Sequence, residues 1–192
     1  MNLGLTGKIA LVTGATSGVG REIALSLAAE GAVVAVNYRN SSSEAQALVS
    51  EIGAKGGKAK AYQADVADFG AVRTMVDAVA SDHGGVHILI NNAGLALRQR
   101  FVETKPEDWR RQLDACLYGA IHCCHAVAPH LDAAKNGRII SVVGDSSRIG
   151  ESGLAIVAAA RAGVIALMKS LAREFGRSGT DRKSTRLNSS HT

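Results

Sequence analysis

Along the chain, short apolar runs alternate with longer stretches in which apolar residues recur every three or four positions. Runs at residues 8–13, 33–36, 86–90 and 138–143, with the alternating stretch 59–63, predict five buried strands. Between them the helical period predicts helices over 21–28, closed by Gly31, over 43–52, opened by Ser43 and closed by Gly53, and over 69–79. Two longer helices are predicted at 106–131 and 154–175, the second rich in alanine. Residues 14–20 are read as a tight turn between the first strand and the first helix. Strand and helix alternating in this way imply parallel strands joined by right-handed crossovers, hence an α/β domain.

Composition narrows the class. The 192 residues are 46% hydrophobic and 20% charged, with 21 glycines and only 4% aromatics, which suits one domain whose parallel strands are covered on both faces. The net charge of +5 is spread out, and Lys and Arg do not gather with aromatics on one face, so no nucleic-acid partner is expected. No apolar run is read as approaching the roughly 18 residues that span a bilayer, and no signal-peptide pattern follows Met1, so no membrane partner is expected either. Three cysteines, Cys116, Cys123 and Cys124, offer no disulfide framework and fit a reducing cytoplasm. The last stretch, 181–192, has no apolar period. It reads either as a disordered basic tail or, preferably, as the translation of a sequencing-library adapter, which leaves residues 1–180 as the domain.

The chemistry begins at Thr13, Gly14, Ala15, Thr16, Ser17, Gly18, Val19 and Gly20, which follow a strand and open a helix. Glycines there permit a tight turn and let the backbone approach a pyrophosphate seated on the helix N-terminus. The Gly-x-x-x-Gly-x-Gly spacing resembles that of the short-chain dehydrogenase/reductase family. Asp65 and Val66 after the third strand, and Asn91, Asn92, Ala93 and Gly94 after the fourth, match further motifs of that family in order and spacing. The resemblance covers residues 5–179 and implies a doubly wound Rossmann fold with strand order 3-2-1-4-5, truncated after the fifth strand and its following helix. It also implies an NAD(P)-dependent oxidoreductase of alcohols or ketones.

Within that resemblance, the cofactor-binding residues are expected to be Gly14, Thr16, Ser17, Gly18, Val19, Gly20, Tyr38, Arg39, Asp65, Val66, Asn92, Ala93, Gly94 and Arg161. Tyr38 stands where NAD-preferring relatives carry a carboxylate, and the guanidinium of Arg39 suits a 2′-phosphate. NADP(H) is therefore favoured, with NAD(H) also accommodated; the plain alternative makes Arg39 a solvated loop residue.

The family's catalytic groups are an Asn, a Ser, a Tyr that donates or accepts the proton, and a Lys that lowers the Tyr pKa and holds the ribose. Counting along the motifs places Cys116, Gly144, Val157 and Arg161 at those four positions, and no Tyr follows Tyr118. The usual acid is absent. Asp145, Ser146 and Ser147 lie near the expected mouth of the site, and Arg161 retains a cation. Two readings stay open: an oxidoreductase with a non-standard acid, or a cofactor-binding subunit that pairs with an active paralogue. The family's habit of oligomerising through its two long helices implies a homo-oligomer or such a hetero-oligomer. The small residues Ala155, Ala158, Ala159, Ala162 and Ala166 are consistent with close packing there.

The run His122, Cys123, Cys124, His125 imitates a metal cluster but does not converge from more than one element, so no metal is expected. Cys116 has no base placed beside it and is read as a small core thiol.

Overall fold

In the computed structural model, residues 3–133 and 137–176 are described. The stretch 181–192, with its two readings, lies outside them, as does the end of the expected domain. Five strands, β1 (Ile9–Val12), β2 (Val33–Tyr38), β3 (Lys58–Gln63), β4 (Ile88–Asn91) and β5 (Arg138–Ser141), form one parallel sheet in the order β3-β2-β1-β4-β5. This is the doubly wound order implied by the family resemblance.

The sheet is buried on both faces. Helices α1 (Gly18–Ala29) and α2 (Ser42–Ala54) cover one face, where Ala24, Ala28, Leu48 and Ile52 meet Ala10, Val12, Val34 and Val36. Helix α3 (Phe69–His83), together with the helices after β4 and β5, covers the other. There Val72, Val76, Cys123, Val127, Leu131 and Val164 pack on Ile9, Leu11, Leu89 and Ile139. Alternate residues of each strand thus serve opposite layers, which is why the strand runs are apolar throughout rather than alternating. Edge strand β3 is the exception and shows exposed Lys58, Lys60 and Gln63.

The expected single helix over 106–131 is interrupted. It comprises α4 (Pro106–Leu113), a π-helical turn (Asp114–Tyr118) and α5 (Gly119–Ala133). The cause lies partly in packing against the loop after β3: a Cβ on Gly119 would stand 2.7 Å from Val66 Cγ2, so the backbone approaches that loop closely. The wider turn lets it do so while the apolar spacing continues. A short helix, α6 (Ser146–Ile149), also escapes the sequence reading. Strand β2 runs two residues further than predicted, to Tyr38, and β4 starts two residues later, at Ile88.

Helix α7 (Ala155–Gly176) corrects one expectation: by length and composition it is apolar enough to cross a membrane, with a hydropathy of 1.7 over Ala155–Phe175. Its pattern is nevertheless two-sided. Val157, Ala160, Val164 and Met168 are buried in the domain, whereas Ala155, Ala159, Ala162 and Ala166 are exposed.

Candidate functional site

The carboxyl ends of β1 and β4 stand side by side, and the chain leaves them in opposite directions across the sheet, toward β2 and toward β5. Such a switch point opens a crevice. Here the crevice is a cleft of about 510 Å³.

Its floor is the turn after β1. Gly14 has φ +58°, and a Cβ on it would come within 3.0 Å of Ala93 Cα. Gly18 has φ +50° and starts α1. A Cβ on Gly20 would strike the Asn92 amide and lie 2.5 Å from Gly14 O. Only glycine fits at 14 and 20, since a side chain there would run into Ala93, Asn92 or Gly14 O; the turn is thereby packed close against the segment after β4 as a cradle at the floor of the cleft. Thr16 and Ser17 line it.

Buried side chains fix this cradle. Thr13 Oγ1 donates to Ile90 O (3.2 Å) and accepts from the N–H groups of Asn92 and Ala93 (3.0 Å each). The Asn92 amide donates to Thr13 O and Gly14 O, both at 3.0 Å. Asn37 accepts from Gly14 N at 3.2 Å and donates to Ala64 O at 3.1 Å, joining the turn to the ends of β2 and β3. The sequence marks Thr13 only as the start of the turn motif and gives Asn37 no role, because their roles depend on cross-strand neighbours. Asn92 emerges as a staple whose amide is turned to main chain.

One wall is built from the loops after β2 and β3. Tyr38, Arg39, Asn40, Ser41, Asp65 and Val66 line it. Arg39 Nη1 lies 3.7 Å from Asp65 Oδ2, and both side chains are largely exposed. Asp65 also accepts from Ala67 N at 3.0 Å. Val66 is buried, and its carbonyl accepts from His122 Nδ1 at 2.9 Å. The opposite wall holds Asn92, Ala93, Gly94, Leu95, Arg111 and Ala115. Of the expected cofactor residues, ten line the cleft: Gly14, Thr16, Ser17, Tyr38, Arg39, Asp65, Val66, Asn92, Ala93 and Gly94. Gly18, Val19 and Gly20 form the first turn of α1 behind it, and Arg161 lies in an adjoining small cavity. Arg111, Asn40, Ser41, Leu95 and Ala115 are lining residues that the sequence did not point to.

Of the four positions expected to match the family's catalytic groups, Cys116 and Arg161 line that smaller cavity while Val157 and Gly144 lie outside its lining, and their contacts are of another kind. Cys116 is 5% exposed; its thiol accepts from Leu95 N and donates to Leu95 O, both at 3.3 Å. Val157, 3% exposed, packs with Cys116 and Ala160 in an apolar cluster supported by Leu113, Leu117 and Leu154. Arg161 Nη1 donates to Val142 O. A Cβ on Gly94 would lie 2.5 Å from Arg161 Nη2 and 3.2 Å from Cys116 Sγ, so guanidinium, thiol and Gly94 backbone are in contact range. Gly144 lies beyond β5, and its carbonyl accepts from the Ser147 hydroxyl at 2.5 Å. The Ser146 hydroxyl sits 3.5 Å from where a Gly144 Cβ would be. Among the described residues no cluster of His, Cys, Asp and Glu has the makings of a metal site.

Comparisons with known proteins agree with this geometry. The family model described as short chain dehydrogenase matches residues 8–182. The chain is 42% identical over 172 residues to 3-oxoacyl-[acyl-carrier-protein] reductase FabG of Staphylococcus aureus strain Mu50, covering 90% of this chain and 70% of that protein. It is 37% identical over 173 residues to the Escherichia coli K12 protein of the same name, covering 90% and 69% respectively. A metagenomic short-chain oxidoreductase in complex with NADP superposes with a TM-score of 0.90 at 29% identity, covering 97% of this chain and 84% of that one. A short chain dehydrogenase from Burkholderia cenocepacia J2315, also in complex with NADP, gives 0.88 at 38% identity, covering 96% and 74%.

Proposed function

The chain belongs to the short-chain dehydrogenase family, and from that premise we propose that it binds NADP(H) in the cleft, with NAD(H) accepted more weakly, while lacking the family's means of protonating a carbonyl. The observation that carries this reading is Val157: the position expected to hold the acid is a buried aliphatic side chain packed on Cys116 and Ala160.

The cofactor half of the reading rests on fit. Gly14 and Gly20 let the turn pack tightly on Ala93 and Asn92, and the cleft lined by Thr16 and Ser17 lies at the N-terminus of α1, whose orphan N–H groups favour an anion. Arg39 offers a guanidinium at the end of β2, and no carboxylate stands at position 38 to repel a 2′-phosphate. Asp65 and Val66 are offered to the adenine, and Asn92, Ala93 and Gly94 to the inner ribose. A bound NADPH supplies a hydride.

What the chain would have to supply is the proton and the oxyanion partner. Valine has neither donor nor acceptor. The Arg161 guanidinium is bonded to Val142 O and set against Gly94 and Cys116, which holds it back from the nicotinamide ribose. General-acid help is worth about 10²–10⁴ in rate, and each oxyanion-type hydrogen bond about 10²–10³. Without both, reduction by this chain alone falls near background. The test is steady-state oxidation of NADPH by the purified chain against ketones, aldehydes and 3-oxoacyl thioesters, the last because the Staphylococcus aureus and Escherichia coli relatives are named for that reduction. Binding without turnover supports the reading.

A second reading adds a role for the bound but unused cofactor: a non-catalytic subunit or regulator that pairs with an active paralogue. The exposed small-residue face of α7, Ala155, Ala159, Ala162 and Ala166, favours it, since small side chains let a partner helix approach closely. Co-purification with, and stimulation of, a co-encoded relative with intact Ser, Tyr and Lys tests it.

A further inference from the structure

We propose that Arg111 is the second cation of the nucleotide cleft, acting on the part of the cofactor common to NADP(H) and NAD(H); this rests on the dinucleotide reading above. A dinucleotide brings its pyrophosphate charge to the turn after β1, yet the residues Gly14 to Gly20 include no basic side chain. Arg21, the first cation of α1, is bonded to Glu22 and Glu51. Among the described residues lining the cleft, the cations are Arg39 and Arg111. They stand on opposite flanks of β1: Arg39 follows β2, and Arg111 belongs to the last turn of α4, after β4. Arg39 already faces the Asp65 carboxylate at 3.7 Å. Arg111 is paired with Asp108 at 3.5 Å on its own helix, and Asp108 is not among the cleft residues.

The π-helical turn begins three residues after Arg111, and Ala115 within that turn lines the same wall. Arg111 and Ala115 thus both face the cleft from the β4 side, across from the loop that carries Arg39. A 2′-phosphate held by Arg39 lies on the far flank from Arg111, so the Arg111 charge falls on the shared adenosine and pyrophosphate portion. Because it is 63% exposed, its contribution is screened by salt.

The experiment is titration of the full chain with NADPH and with NADH, followed by calorimetry and nicotinamide fluorescence at low and high ionic strength. Unmutated protein is compared with Arg39→Gln, Arg111→Gln and Arg111→Lys. We expect Arg111→Gln to raise the Kd of both dinucleotides about tenfold, as for loss of one charge-assisted contact. The loss should shrink at high salt and be largely recovered in Arg111→Lys. Arg39→Gln should weaken NADPH and leave NADH nearly unchanged. An unchanged Tm in Arg111→Gln separates lost binding from lost folding. The inference is overturned if Arg111→Gln leaves both affinities intact, or weakens NADPH alone. Failure of the unmutated chain to bind either dinucleotide would instead remove the dinucleotide reading itself, and this inference with it.

Discussion

Two neighbouring regions of this molecule, the cleft beside β1 and β2 and the small cavity between the π-helical turn, β5 and α7, are built by opposite rules. The cleft is defined by a glycine turn packed close on the segment after β4, at Gly14 and Gly20, and by polar groups bonded to main chain, the buried Thr13 and Asn37 and the half-buried Asn92. Such a surface is held in shape by bonds to main chain before any ligand arrives. At the cavity, Cys116 in the lining has Val157 and Ala160 packed against it, and Arg161, the one cation among the described lining residues, donates to a carbonyl of the chain itself. That surface is stable without a ligand. On the proposed reading, the first region binds the cofactor and the second lacks the acid that would use it.

The contrast can be tested from either side. The largest effect is expected from rebuilding the cavity: Gly144→Ser, Val157→Tyr and Arg161→Lys together should raise NADPH-dependent carbonyl reduction over the unmutated chain by about 10²–10⁴, the usual worth of a positioned acid. Val157→Tyr alone should give no turnover and lower stability by about 1–3 kcal/mol, because the ring must enter the packed cluster of Cys116 and Ala160. Initial rates and denaturant melts check both.

From the other side, Gly20→Val pushes a branched side chain into Asn92 and Gly14 O, and should remove measurable NADPH binding at a cost of about 1–3 kcal/mol in stability. Calorimetry and thermal unfolding read the two losses separately. Thr13→Ala leaves the N–H groups of Asn92 and Ala93 without their buried acceptor and is expected to cost about 1–3 kcal/mol, with weaker cofactor binding as the turn loosens.

The smallest effect belongs to neither region but to the strand pair that carries both. Ile9 N–H donates to His87 Nδ1 at 3.2 Å. Burial, then the nearby Lys8 charge, holds the His87 pKa below the ordinary imidazole value of about 6.5. A depressed histidine pKa means that the unfolded chain binds the proton more readily. The stabilisation is therefore fully present above the ordinary value and is lost as pH falls through the lower folded-state value. Chemical denaturation across that window should show it, and His87→Gln should flatten the dependence.

The strand runs and the glycine turn were legible because each is local: a buried parallel strand is apolar at every position, and Gly14 and Gly20 are demanded by backbone conformation or close approach. Thr13 and Asn37 were not legible, since one polar residue at a strand end looks the same whether it is solvated or ties three segments together. The break between α4 and α5 hid because the apolar spacing persists through the π-helical turn, and its packing signal, Gly119 against Val66, joins residues far apart in sequence. Arg111 hid for the same reason, its direction being set by that break. The substituted positions Cys116, Gly144, Val157 and Arg161 were countable from motifs, but their contacts with one another were not.

The most direct test of the separation between binding and chemistry is a paired measurement on one preparation of the unmutated chain. NADPH affinity is determined by calorimetry, and NADPH oxidation is then followed with the same sample across the carbonyl panel. The account predicts saturable binding with oxidation indistinguishable from buffer. Robust oxidation that survives Val157→Ala and is abolished by changing Asp145, Ser146 or Arg161 would contradict it and assign the proton to a relocated acid.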